Sequence, residues 1–327
     1  IGMLGVVMLH TKPFMQDLFP DPPYRLLENL FAQPSRFAVP FFFATAGYFL
    51  GRKALADPQR TIRVKGYILR LFAVWAAWSA VYVVVPFSWD RLLKDGYLQA
   101  IGAKIDELLA SPFILPLEGA RVHLWFLPSL IMATLLLALC TRKGRIWPAC
   151  LLAVLLFALG LLGGPYDETP LGIDIPFSTR SGPFLSFICL TSGYLLSLRR
   201  TPFPLPAAWA VACCGLLLQI TESWLLWKLY GYPMACHNYL FGTVLLGGGI
   251  LMVALAAPDL GGKGALPGAG RFTLGVYASH ILFIDLLTPL TRSFELHIWQ
   301  LLLPLLVCLL SLGLTWLLLR TPARGLV

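Results

Sequence analysis

Apolar runs about as long as a bilayer is thick recur along this chain, and nothing between them is large enough to fold alone. They fall at about 1–16, 37–51, 67–87, 122–141, 146–164, 178–198, 207–228, 238–257, 272–291 and 298–320. Hydrocarbon offers no partners to backbone N–H and C=O groups, so a spanning segment must satisfy them internally, as a helix does. Only 13% of the 327 residues are charged, about half the share usual in soluble domains. The expectation is an all-α integral membrane protein, a polytopic bundle of about ten transmembrane helices. It reads as one domain, 1–327. The chain opens at Ile1 inside an apolar run and without an initiator Met, so its natural N-terminus is expected to have been trimmed.

Charge sets the orientation. Counted over alternate loops, one set (51–66, 142–145, 199–200, 258–271 and 320–324) holds fourteen Lys and Arg against two acids, Asp57 and Asp259. The other set holds ten cations against twelve acids. Positive loops stay in the cytoplasm. Both termini are therefore expected inside a cell (inner or plasma) membrane, in contact with anionic lipid. The formal charge of +9 is scattered between spans, which argues against nucleic acid as a partner. Seven cysteines lie mostly in apolar runs without metal-type spacing, and they read as small buried residues. The largest outer loop, about 88–121, has two candidate interfacial helices, 89–93 and 101–109. Prolines 20, 22, 23 and 34 suggest that 17–36 is broken up, and the Pro-, Gly- and Asp-rich stretch 165–177 reads as irregular.

Ionisable groups inside membrane helices are costly and mark candidate sites. His10 follows Gly5-Val6-Val7-Met8-Leu9, where nothing else explains an imidazole. His280 and Asp285 share a late span with Tyr277, and a polar cluster tying helices together is an equal reading. Glu222 lies near the outer end of its span, where it can also reach headgroup water. His123 and Trp125 open another span, where a Trp ordinarily belongs to the interfacial belt. The basic stretch 51–70 either fixes orientation or receives an anion. Arg70 separates these readings, because it falls inside the span, where orientation does not require it.

Five runs, in order, resemble one family, the acyltransferase family 3 of membrane O-acyltransferases. They are the helix leading to His10; Pro40-Phe41-Phe42-Phe43-Ala44-Thr45-Ala46-Gly47-Tyr48-Phe49-Leu50; Arg63-Val64-Lys65 with Arg70-Leu71; His123-Leu124-Trp125-Phe126-Leu127; and Phe272 to His280. Ala46 stands where the family pattern has Ser, Lys65 where it has Arg, and the usual Pro after Arg70 is missing. The resemblance implies transfer of an acyl group, commonly acetyl, from cytoplasmic acyl-CoA to a hydroxyl of an exported or cell-envelope glycan, lipid-linked or finished. It implies acyl-CoA, with acetyl-CoA as the expected form, as co-substrate and no tightly bound cofactor or metal.

On that reading Arg63, Lys65 and Arg70 bind the donor's phosphates. His10 is general base to the acceptor hydroxyl or a covalent relay for the acyl group. His123, Trp125, Glu222, Tyr277, His280 and Asp285 line the site. Trp89 and Tyr97 of the outer loop either stack on a sugar or simply lie in the interface. Two rival readings remain at this point: a proton-coupled small-molecule transporter, and a membrane module of a larger sensor or enzyme. A homo-oligomer is compatible with all three.

Overall fold

The computed structural model describes the chain except residues 15–21, 58–63, 86–88, 111, 143, 261–265 and 294–296. Regular structure among the described residues is helical throughout. In order these helices are α1 (Gly2–Thr11), α2 (Pro22–Ser35), α3 (Ala38–Ala56), α4 (Lys65–Val84), α5 (Trp89–Asp95), α6 (Tyr97–Leu109) and α7 (Ile114–Glu118). There follow α8 (Phe126–Cys140), α9 (Trp147–Leu162), α10 (Pro183–Ser197), α11 (Leu205–Tyr230), α12 (Phe241–Ala256), α13 (Leu266–Ala269), α14 (Thr273–Ser293) and α15 (His297–Leu318). A 3₁₀ turn, Val122–Trp125, leads directly into α8.

A helix stands at each of the ten apolar windows, but five stretches are long and apolar enough to cross a membrane: Lys65–Val84, Val122–Cys140, Leu205–Tyr230, Gly270–Thr291 and His297–Leu318. By length and composition, five crossings are supported among the described residues, fewer than the expected ten. Helices α1, α9, α10 and α12 are apolar but have only 10, 16, 15 and 16 residues, and 16 residues reach about 24 Å of a core about 30 Å thick. Leu151, Val154 and Leu155 of α9, Leu217 of α11, and Leu305 and Leu309 of α15 are exposed. Such apolar outer faces suit lipid and would be a liability in water. This is a membrane protein.

The stretch 17–36 corrects an expectation, for α2 occupies most of it. Pro22 and Pro23 sit in the first turn of α2, where a missing N–H has no intrahelical acceptor to lose, and Pro34 affects only the last turn. Helices stand at both stretches of the long loop expected to be helical, as α5 and α6, and residues 165–177 are irregular as expected.

At the centre, α3 packs on α10 at van der Waals limits. A Cβ on Gly47 would collide with the Leu190 carbonyl, and one on Gly193 with the Ala44 carbonyl. Each glycine seats the partner helix's backbone, and this explains why the aromatic run of α3 ends in Ala-Gly. Gly51 meets Ser197 one turn further along, so the two helices run parallel. Helix α1 lies against α2, α3, α14 and α15, which places its last turn inside the bundle.

Candidate active site

Helix α1 ends where Lys12 turns into the left-handed region (φ 44°) and returns its N–H to the Met8 carbonyl. His10 belongs to this last turn. Its ring lies 4.9 Å, centroid to centroid, from that of His280 in α14 and 6.4 Å from that of His123 in the 3₁₀ turn, and His123 and His280 are 5.0 Å apart. Three imidazoles from three separate stretches of sequence thus form one edge-to-face cluster. His123 and His280 are fully buried and His10 is partly so.

Backbone carbonyls fix the tautomers. A carbonyl only accepts, so the ring nitrogen facing it carries the proton. His10 Nδ1 donates to the Val6 carbonyl (2.9 Å), His280 Nδ1 to the Tyr277 carbonyl (2.6 Å), and His123 Nε2 to the Ala278 carbonyl (3.3 Å). Each neutral ring is left with one lone-pair nitrogen. His280 Nε2 and His123 Nδ1 are buried without a hydrogen-bond partner. The cluster therefore presents basic nitrogens and no competing donor.

Two tyrosines hold His123. Tyr277 donates its hydroxyl to the His123 carbonyl, and Tyr82 donates to the Ala278 carbonyl (2.8 Å) with its ring 5.0 Å from the imidazole. Tyr277 also borders a cavity of about 340 Å³. The walls include Val6, Phe42, Phe49, Phe126, Leu127 and Leu274, with Arg70, Arg271 and Tyr67 among the polar groups. Val6 and Tyr277 belong to both features, since their carbonyls hold His10 and His280. His10 itself does not line the cavity; the Tyr277 ring, which does, is 5.8 and 6.2 Å from the His123 and His280 rings.

The remaining expected site residues divide. Arg70 lines the cavity, whereas Lys65 is exposed in the first turn of α4 and lies outside its wall. Arg63 lies outside the described residues. Trp125 is not a belt residue: it is buried against Phe43 (6.0 Å) with the Arg180 guanidinium over its ring at 5.6 Å. Asp285 pairs with Arg121, and the backbone carbonyl of Asp285 accepts from Trp89 Nε1 (3.0 Å). It ties α14 to the segment that holds Trp89 and Arg121 and leaves the imidazoles alone. Tyr97 donates to the Val84 carbonyl.

Glu222 sits apart from the cluster. It accepts from Tyr166 Oη (2.5 Å) and from the backbone N–H groups of Phe241 (3.1 Å) and Gly242 (3.2 Å), so it caps α12. A carboxylate at a helix N-terminus satisfies donors that the helix cannot, and burial together with Glu222 pushes the Tyr166 hydroxyl well above its ordinary pKa. Sequence reasoning missed Arg271, which was counted only as a loop cation although it stands directly before the Phe272 motif, and Tyr82, which carries no motif signal. Among the described residues, no three His, Cys, Asp or Glu are arranged to hold a metal ion.

Residues 1–320 match the family described as an acyltransferase domain. The chain belongs to this family, acyltransferase family 3. It is also similar to a serine/alanine racemase of Enterococcus gallinarum, 26% identical over 267 residues, which is 75% of this chain and 35% of that protein. An amino-acid racemase of Enterococcus faecalis is 32% identical over 200 residues, 57% of this chain and 26% of that protein. The chain thus spans about a third or less of the length of these curated relatives. No solved structure matches.

Proposed function

We propose that the chain, as a single domain of about ten crossings with both termini cytoplasmic, transfers an acyl group, acetyl in the simplest case, from cytoplasmic acyl-CoA to a hydroxyl of an exported or cell-envelope glycan. The observation that carries this reading is the layout itself: a cavity with Arg70, Arg271 and Tyr277 in its wall, and three lone-pair imidazoles next to that tyrosine. Guanidinium groups suit the donor's phosphates, and a narrow apolar cavity suits the thioester arm.

In this scheme His10 Nε2 takes the proton of the acceptor hydroxyl as its oxygen attacks the thioester carbonyl. The C–S bond then breaks, and the proton passes from His10 to the departing thiolate. The fixed Nδ1–H of His10 keeps Nε2 aimed and unprotonated. His280 and His123 act as positioning residues that accept no proton from the backbone and can share the one His10 acquires. The test is purified full chain in nanodiscs with labelled acetyl-CoA and cell-envelope glycan. Transfer that survives His10→Ala unchanged would overturn the assignment.

One observation favours a second reading. The relatives carry far more chain than the matched part, so this domain can serve as the membrane module of a longer protein and move a small molecule. Solute accumulation in vesicles with no acyl product would support that reading.

A further inference from the structure

A second recess lies at the other end of the bundle, in a part of the molecule the transfer scheme does not use. Helix α10 begins after Thr179-Arg180-Ser181 and ends near Ser197, beside Gly51 and the chain that leads to α4. Its 15 residues separate those ends by about 22 Å. At the starting end, residues 163–182 meet the loop 231–240 around a cavity of about 160 Å³. Asp167, Thr179, Tyr232, His237, Asn238 and Tyr239 are in its wall.

The recess is a built one. A chain of buried polar contacts ties its second loop to the bundle: Gln219 to Gln33, Gln33 to the Met234 carbonyl (3.0 Å) and Arg36 to the Ala235 carbonyl (2.7 Å). His237 is 1% exposed, stacked at 4.8 Å on Tyr232, and neither ring nitrogen closes a well-formed hydrogen bond with the protein. A buried imidazole is normally satisfied. The Tyr232 backbone engages this imidazole only outside good hydrogen-bond geometry, so its nitrogens in the cavity wall are an offer to something that enters.

The chemistry of the wall selects the guest. Asp167, Asn238, Thr179 and the imidazole mix donors with acceptors, and two tyrosines add aromatic surface. No Lys or Arg belongs to the wall, while an exposed carboxylate does. The carboxylate in the wall disfavours an anion, and the guanidinium groups nearest the recess, Arg36 and Arg180, are engaged by the Ala235 carbonyl and by Asn238 and Glu118. Thr179 already donates to the Gly160 carbonyl and accepts from Tyr239, and a neutral ring carrying several hydroxyls matches the groups that remain. Asn238 links the recess inward, because its Oδ1 accepts from Arg180 (3.2 Å), whose guanidinium also reaches Glu118 and covers Trp125.

We infer that this recess, framed by Asp167, His237 and Asn238, binds one uncharged sugar unit of the acceptor. The identification as part of the acceptor rests on the proposed transfer function; the binding does not. The test uses the full chain in nanodiscs, with neutral methyl glycosides as probes in ligand-observed NMR. At least one glycoside is expected to bind, and Asp167→Asn and His237→Gln each weaken it by roughly tenfold or more, the scale of losing a hydrogen bond to a charged or buried group. Asp167 is exposed, so its variant reports even where His237→Gln fails to fold. His10→Ala keeps the binding. Glycoside binding without any acyl transfer would sink the transfer function and leave the recess standing. Absence of binding by every neutral glycoside, binding indifferent to both substitutions, or preference for a sugar phosphate would overturn the inference.

Discussion

His10 was legible in the sequence because an imidazole in an apolar helix has no ordinary reason to be there. What the sequence could not show is the company it keeps, since His123 and His280 come from distant parts of the chain and meet it only in three dimensions. If His10 is the base, His10→Ala should lower kcat by roughly 10²–10⁴-fold, the usual worth of a positioned base, while the protein keeps its thermal stability. Glycan acylation followed by mass spectrometry reads the first, and a melting curve in nanodiscs the second. Glu222 shows the opposite lesson. Its charge inside a span drew attention, yet the residue is spent on capping α12, a use that neighbours in sequence could not disclose. His237 went unnoticed because it lies in a loop, where a histidine surprises no one.

Burial, with Arg36 adding to it, lowers the His237 pKa from 6.5 to about 4. The unfolded chain therefore binds one more proton than the folded chain between those values, so this contribution to stability is complete above about pH 6.5 and is lost as pH falls through 4. Melting curves from pH 7.5 to 4.5 should fall more steeply for wild type than for His237→Gln.

Among elements, the joint between α3 and α10 is the least forgiving. Gly47 and Gly193 each face a partner carbonyl, and the clash cannot be relieved by turning a side chain. Gly47→Ala should lower Tm by several degrees, in line with an overpacking cost of about 1–3 kcal/mol. Gly248→Ala in α12, which has open space around it, should leave Tm unchanged or slightly raised. The helices themselves were readable from apolar windows, and α5 and α6 from their place in a long loop. Crossing number was less readable, because windows record apolarity while α1, α9, α10 and α12 are too short to settle the matter by length. Helix α2 was missed because its prolines were weighed without their positions; at the first turn a proline is compatible with a helix.

For the whole molecule, the reading depends on two ends with different chemistry. One holds Arg70 and Arg271 around an apolar cavity, the other a polar recess without cations in its wall. On the proposed scheme Arg70 and Arg271 bind the donor's phosphates, so Arg70→Ala and Arg271→Ala should each raise KM for acyl-CoA, by roughly tenfold, with kcat little changed. Initial rates at varied acyl-CoA and fixed glycan measure this, and a kcat loss with unchanged KM would place these arginines elsewhere in the scheme.

Tyr277 carries a consequence of another kind. If, as proposed, a cytoplasmic thioester meets an external alcohol in this protein, it must still hold the cell's proton gradient, and a row of imidazoles near a void of about 340 Å³ is a wire waiting to be connected. The phenol ring borders the void and neighbours the imidazoles, anchored through its hydroxyl to the His123 carbonyl, and is expected to keep the two apart. Proteoliposomes bearing Tyr277→Ala should dissipate an imposed pH difference that wild-type vesicles keep.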